Sequence, residues 1–443
     1  MERRRFLSLM GAYGMGLAPA PRPNIILAMA DDQGWGDTSY NGHPVLQTPN
    51  LDSMARNGVR FDRFYAASPV CSPTRGSCLT GRHPFRYGIF FANADTGTDA
   101  PSKYALPARE LTVAELVKPL GYATGHFGKW HLGDFEGPRR SSPADNGFDV
   151  FFSTTRKVPT VDPEGYWTRE GRVPGVLRGD DSELMMSRAI EFIRAAAARQ
   201  QPFLAVIWFH APHVPFLALP RHRAPYGAHS ESKQHYWGSI ASIDEQMGRL
   251  RSTLDQLGLR KNTMLWYASD NGPEGDQQQD SSPGSAGPWR GRKRSLFEGG
   301  VRVPGLLEWP ERFPRPVTVT SAASTSDYFP SIASALGLAP AQSELDGINL
   351  WPLIDDPSRP RRSALGFETI GDTRGSPRLA YIEDRWKLLS NLDDTPDLLF
   401  DLAKDPSEAN NLAPRHPQEV RRMRASLEKW RKSCEASRAD LKP

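Results

Sequence analysis

Two adjacent pairs in this chain, Asp31-Asp32 and Asp270-Asn271, offer carboxylate and amide oxygens and nothing softer. Such a set suits a hard dication, calcium or magnesium, and not zinc. Each pair alone has a plainer reading: Asp31-Asp32 could cap a helix, and Asp270-Asn271-Gly272 could be a turn. Both pairs, however, follow short apolar runs, at residues 24–30 and 263–268. Two more apolar runs end in groups that bind anions or move protons. Residues 122–127 lead into Lys129-Trp130-His131, and residues 203–209 lead into His210 and His213. Cys71 opens the stretch Cys71-Ser72-Pro73-Thr74-Arg75. It is one of three cysteines, an odd number and too few for a disulfide framework. Cys71 and Cys78 are not spaced as zinc ligands, and a lone cysteine is ordinarily a small buried hydrophobe.

The four apolar runs read as strands of a parallel sheet, buried on both faces. Helical patterns at residues 111–120, 182–198 and 236–257 lie between them. Strands alternating with helices predict an α/β sheet layered between helices. Ligands bind such sheets outside the carboxyl ends of the strands, so the four polar tails are expected to converge on one site. After about residue 340 the texture changes. Residues 379–391 read as a hairpin turning at Glu383-Asp384, and residues 398–402 as a further strand. The chain ends in an amphipathic helix with Val420, Met423, Leu427 and Trp430 on one stripe. The basic residues covering the rest of that helix read as a solvated face. The expected organisation is a catalytic domain over residues 21–340 and a small antiparallel sheet with a closing helix over residues 341–443.

The chain has 443 residues and a formal charge of +4, too small an excess to argue for nucleic acid. Arg3-Arg4-Arg5 precedes a short, weakly apolar stretch that ends at Ala18-Pro19-Ala20. Residues 1–20 are therefore similar to a twin-arginine export signal, which places the protein in the periplasm or outside the cell. No segment is apolar enough to span a membrane.

Cys71-Ser72-Pro73-Thr74-Arg75, followed by Thr80-Gly81-Arg82, resembles the signature of the type I sulfatases. So do Asn24 to Gly36, Thr48-Pro49-Asn50-Leu51-Asp52, and the run Gly125-His126-Phe127-Gly128-Lys129-Trp130-His131-Leu132-Gly133. Ala211-Pro212-His213, Ser269-Asp270-Asn271-Gly272 and Glu298-Gly299-Gly300-Val301-Arg302-Val303-Pro304 complete the series in the order of that family. The resemblance implies an alkaline-phosphatase-like fold with a mixed, mostly parallel sheet, and a sulfuric ester hydrolase. It also implies that a formylglycine-generating enzyme oxidises Cys71 to formylglycine, whose hydrate attacks sulfur. One calcium ion would be held by Asp31, Asp32, Asp270, Asn271 and the residue at position 71. Arg75 would stabilise the deprotonated nucleophile, and Lys129 and Lys293 would bind sulfate oxygens. His131 would take a proton from the formylglycine hydroxyl, and His213 would stand near the leaving oxygen. His126 and His210 are expected to be structural. Ser153 or Thr154 is the nearest candidate for the hydroxyl residue that the family places after its second signature.

The expected substrate is a sulfated carbohydrate. Lys103, Arg109, Arg139-Arg140, Arg156-Lys157 and Arg290 to Arg294 lie on loops expected near the cleft, and Tyr87, Phe90, Phe91 and Trp289 are candidate platforms for sugars. The alternatives are a small aryl sulfate, a phosphonate or phosphodiester substrate on the same scaffold, and an unmodified glycan-binding relative without turnover. A likeness at family level does not fix a sugar or a position.

Overall fold

The computed structural model describes residues 22–92, 105–339 and 344–439. The expected export segment at 1–20 and Lys103 lie outside the described residues. A ten-stranded mixed sheet organises the chain. In spatial order its strands are Val317–Val319, Val59–Phe61, Gly305–Glu308, Thr263–Ser269, Asn24–Ala30, Phe203–Trp208, Ala123–Lys129, Val150–Thr154, Trp167–Thr168 and Gly171–Arg172. The five strands from Thr263–Ser269 to Val150–Thr154 run parallel. Antiparallel strands flank them on both sides. All seven residues of Asn24–Ala30 are buried, which explains why that strand reads as a continuous apolar run and not as an alternating one.

Ile25, Leu27 and Met29 face one layer and Ile26, Ala28 and Ala30 the other, as the two-residue strand period requires. On one side lie the helices Asp181–Ala198 and Glu231–Gln256, with Met185, Ile190, Met247 and Leu250 against the sheet. On the other lie Cys71–Thr80, Val113–Val117 and Tyr328–Ala335. The helix Cys71–Thr80 escaped the sequence reading for a physical reason. Its ten residues are all buried, so it has no polar face, and it contains proline, glycine and four hydroxyl residues, all weak helix formers.

Register sets the site. Ala30 pairs with Ser269, Met29 with Trp208, and Lys129 with Thr154. The polar residues that follow these strands therefore emerge side by side at one edge of the sheet. Gly128, with φ +97°, makes the last turn of its strand possible: a Cβ there would lie 2.0 Å from the Trp208 carbonyl oxygen.

The C-terminal sheet is antiparallel, in the order Leu365–Glu368, Leu379–Glu383, Trp386–Ser390, Leu398–Asp401. Its first strand was not anticipated from the sequence. The helix Pro417–Ala439 covers one face, with Met423 and Leu427 against Leu379, Leu388 and Leu399. The other face packs on Tyr65, Leu296, Phe297 and Val301. The short helix Trp351–Asp355 packs instead into the core of the large sheet, so the change of texture near residue 340 comes before the small sheet itself. Among the described residues no helix is long and apolar enough to cross a membrane.

Candidate functional site

Three carboxylates and three cations meet, all buried, where the central strands end. Lys129 Nζ lies 2.6 Å from Asp31 Oδ2, and Lys293 Nζ lies 2.6 and 2.8 Å from the two oxygens of Asp32. Arg75 donates from Nε and Nη2 to Asp270 Oδ2, at 3.1 and 2.6 Å, and from Nη1 to the Lys129 carbonyl at 2.9 Å. Its guanidinium is thus engaged with Asp270, with Asp31 at 3.5 Å and with the strand end, and among the described residues no hydrogen bond joins it to Cys71. Asn271 Nδ2 donates to Asp32 Oδ1 at 2.8 Å, and the Asp32 N–H donates to Asp270 Oδ1 at 3.1 Å. His213 Nε2 stands 3.5 Å from Asp32 Oδ2.

Cys71 is the first residue of its helix, so the amide end of the helix dipole, which favours negative charge, faces the cluster. Its Sγ lies 3.3 Å from His131 Nδ1. His131 is held in turn by Ser72, whose hydroxyl donates to the His131 carbonyl at 2.6 Å. His131 and Asp32 both have left-handed backbone, φ 57° and 66°. Such strain at non-glycine residues persists only where the surroundings over-determine it.

The residues fit a dication. Asp31 Oδ1 and Asn271 Oδ1 are buried without a hydrogen-bond partner among the described residues. A buried orphan acceptor is costly unless something donates to it or binds it. Donor atoms of Asp31, Cys71 and Asp270 lie within 4.8 Å of one another, and so do those of Asp31, Asp32 and His213.

Electrostatics divides the carboxylates. Burial alone would raise Asp31, but Lys129, His213, Arg75 and Lys293 hold it well below the usual range. Burial and the charge of Asp31 push Asp270 up to about 7, against Arg75 and Lys129. The pair thus holds one negative charge firmly and the second weakly, and a dication would favour both. Burial, then Lys129 and Arg75, push His131 well below its usual value, so it is neutral near pH 7. Burial, partly opposed by Asp32, lowers His213 to about 4. Burial also raises the Cys71 thiol, against Lys129 and Lys293, which makes the unmodified side chain a poor nucleophile.

All the residues expected at the site from the sequence come together: Asp31, Asp32, Cys71, Arg75, Lys129, His131, His213, Asp270, Asn271 and Lys293. Others do not. Ser153 is hydrogen-bonded to the core residue His126 at 2.7 Å, and Thr154 to His210 at 2.7 Å. Both hydroxyls are committed to the structural histidines, so neither is the active-site hydroxyl sought from the sequence. Tyr87 and Phe90 are buried, Phe90 against Phe85 and Cys434, and neither is a platform for sugars. Trp289 is half-buried, with the Arg302 guanidinium 4.1 Å from its ring centroid. Arg109 donates to the Ser437 carbonyl of the terminal helix. Glu274 was missed: it forms ion pairs with Lys293, Arg294 and Arg374, and nothing in its local sequence marks it.

Comparison with known proteins agrees with this geometry. Residues 23–338 match the Sulfatase family model. The chain is 34% identical over 371 residues to N-acetylgalactosamine-6-sulfatase of Canis lupus familiaris, covering 79% of this chain and 69% of that protein. It is 33% identical over 384 residues to arylsulfatase G of Rattus norvegicus, covering 76% and 70%. Among solved structures, Ps i-CgsB in complex with k-i-k-neocarrahexaose superposes with a TM-score of 0.81 at 26% identity, covering 93% of each chain. With its sheet, its site and its relatives in agreement, the chain belongs to the sulfatase family and is a sulfuric ester hydrolase.

Proposed function

We propose that this sulfatase releases sulfate from a sulfated carbohydrate, using formylglycine made from Cys71 and one calcium ion held by Asp31, Asp32, Asp270, Asn271 and the residue at position 71. One observation carries the reading: beside Cys71, a buried set of three carboxylates and three cations leaves two carbonyl-type oxygens unpartnered. The set is neutral when every member is ionised. A dication added to it calls for an anion, which a sulfate ester supplies.

When bound, calcium would polarise a sulfate oxygen as a Lewis acid. The hydrate at position 71 supplies two hydroxyls, one to bond sulfur as the ester S–O bond breaks, the other to expel sulfate and restore the aldehyde. Lys129 and Lys293 hold sulfate oxygens as point charges. The neutral His131, 3.3 Å from the side chain at 71, takes the proton of the second hydroxyl. His213 donates from Nδ1 to the Val214 carbonyl at 2.6 Å, which leaves Nε2 turned toward Asp32, and protonation there would make it a donor to the leaving oxygen. Arg75 orders Asp270 through two charged hydrogen bonds to its Oδ2.

A carbohydrate substrate is supported by the likeness to N-acetylgalactosamine-6-sulfatase and to a protein solved with neocarrahexaose. The exposed cations Arg139, Arg140 and Lys157 suit a polyanionic glycan. Residues 1–20 would export the folded, matured enzyme by the twin-arginine route. The test is a screen of defined sulfated mono- and oligosaccharides with protein co-expressed with a formylglycine-generating enzyme, in calcium. Sulfate release accompanied by an aldehyde at position 71 is expected. Full turnover with the thiol intact, or a preference for phosphodiesters, would overturn the assignment.

A further inference from the structure

Glu274 has no part in the reaction as read above, yet it joins three segments at the edge of the site. Its Oε2 lies 3.4 Å from Lys293 Nζ and accepts from Arg294 Nη2 at 3.1 Å. Its Oε1 accepts from Arg294 Nη1 and from the Gly275 N–H, and lies 3.8 Å from Arg374 Nη2. Arg374 belongs to the C-terminal part of the chain; it also pairs with its neighbour Asp372 and, across to the segment of Glu274, with Asp276. The backbone ties the same segments together. Lys293 N–H donates to the Pro273 carbonyl at 3.0 Å, and Arg294 N–H to the Pro69 carbonyl at 2.9 Å, two residues before Cys71. Arg294 and Arg374, which pair with the Glu274 carboxylate, both have left-handed backbone, φ 77° and 52°. That strain is retained only where surrounding contacts impose it.

Resting on the reading of Lys293 as a sulfate ligand, we propose that Glu274 is a positioning residue acting through Lys293: its charge offsets the cations Lys293, Arg294 and Arg374 so that sulfate is not held too tightly to leave. Arg374 carries the C-terminal part of the chain into this balance. The local electrostatics agrees: burial would raise the Glu274 carboxyl, but Lys293 and Arg294 hold it well below the usual range. The carboxylate is therefore charged throughout the working range of pH, and half-buried opposite charges at this spacing still interact strongly.

The experiment uses matured, calcium-loaded enzyme, 4-nitrophenyl sulfate as substrate and inorganic sulfate as inhibitor. E274Q keeps the shape of the side chain and removes its charge. Sulfate should then inhibit roughly tenfold more tightly while kcat falls roughly tenfold and KM falls with it. A merely structural loss would weaken sulfate binding or leave it unchanged. E274D should recover most of kcat. R374Q should weaken sulfate inhibition about threefold alone and return it toward the wild-type value in the E274Q background, a coupling that a double-mutant cycle reads directly. These two variants keep the test open if E274Q is unstable. Sulfate inhibition by E274Q within twofold of wild type, or an R374Q effect equal in both backgrounds, overturns the proposal. K293M separates the two levels: an inactive K293M beside a wild-type-like E274Q sinks this proposal alone, whereas an active K293M sinks the reading of Lys293 as well.

Discussion

Two clusters of buried charge lie in this molecule, and they differ in what they leave unfinished. At the seam between the large sheet and the C-terminal sheet, Lys387 Nζ lies 2.9 Å from Glu298 and 3.0 Å from Glu408. Glu298 also accepts from the Tyr65 hydroxyl at 2.9 Å, and Glu408 accepts from the Glu298 N–H at 2.6 Å. Protein groups from three parts of the chain meet in this cluster, and Glu408 Oε1, which accepts no hydrogen bond among the described residues, is faced by the Lys387 ammonium. At the strand ends, carboxylates and cations are as deeply buried, but Asp31 Oδ1 and Asn271 Oδ1 remain without partners. Burying a charge costs several kcal/mol unless it is well paired. A cluster that pairs its charges internally joins the two sheets, whereas the acceptors left open at the strand ends suit the cation proposed above.

Removing a member should separate the two clusters. The largest effect is expected for Asp270→Asn. Calcium affinity and activity should be lost together, with kcat/KM falling by roughly three orders of magnitude or more, read by metal content and sulfate release. Calcium binding that survives this change would mean the metal site is misassigned. Cys71→Ala should remove turnover and weaken calcium binding, because it takes away one proposed ligand, while the melting temperature stays near wild type, since the hydrogen bond lost among the described residues is the one to His131.

At the seam the pattern should invert. Lys387→Met strands two buried carboxylates, so urea unfolding should show a loss of about 3–5 kcal/mol. The kcat/KM of the protein that remains folded should stay close to wild type. The pH dependence of stability gives a finer test. Burial and the charge of Glu298 push Glu408 up to about 7, although Lys387 opposes them. A carboxyl whose folded pKa is raised stabilises the fold below its unfolded value, and that contribution is lost as pH rises toward the folded value. Wild type should therefore lose stability relative to Glu408→Gln between about pH 4.5 and pH 7. A parallel pair of curves would show that Glu408 does not titrate there. The smallest effect is expected on the terminal helix, where Arg422 pairs with Glu383 and Glu419 in the open. Arg422→Ala should cost less than about 1 kcal/mol. A larger loss, or a loss of activity on a glycan, would show that the basic stripe is more than a solvated face.

How much could be read in advance follows the same division. Asp31, Asp32, Asp270, Asn271 and Lys129 sit at the ends of buried parallel strands, or directly after them. Their neighbours announce them, because a parallel core strand must be a short unbroken apolar run. The terminal helix was readable because Met423 and Leu427 recur on one face. The helix that begins at Cys71 was not, because burial on all sides removes the polar face that would reveal its period. Ser153 and Thr154 lie close in sequence to the second signature, yet register turns them toward His126 and His210.

The sequence alone determined the layered sheet, the family, and the set of groups gathered at the strand ends, since each depends on residues close together in the chain or on motifs in order. Only the tertiary structure decided what those groups do to one another. Arg75 is committed to Asp270, Lys387 is shared by Glu298 and Glu408, and Glu274 lies between Lys293 and Arg374. The physical reason is that an ion pair leaves no periodic trace in a sequence. It forms between segments far apart in the chain, and packing alone determines which charges meet and which oxygens are left open.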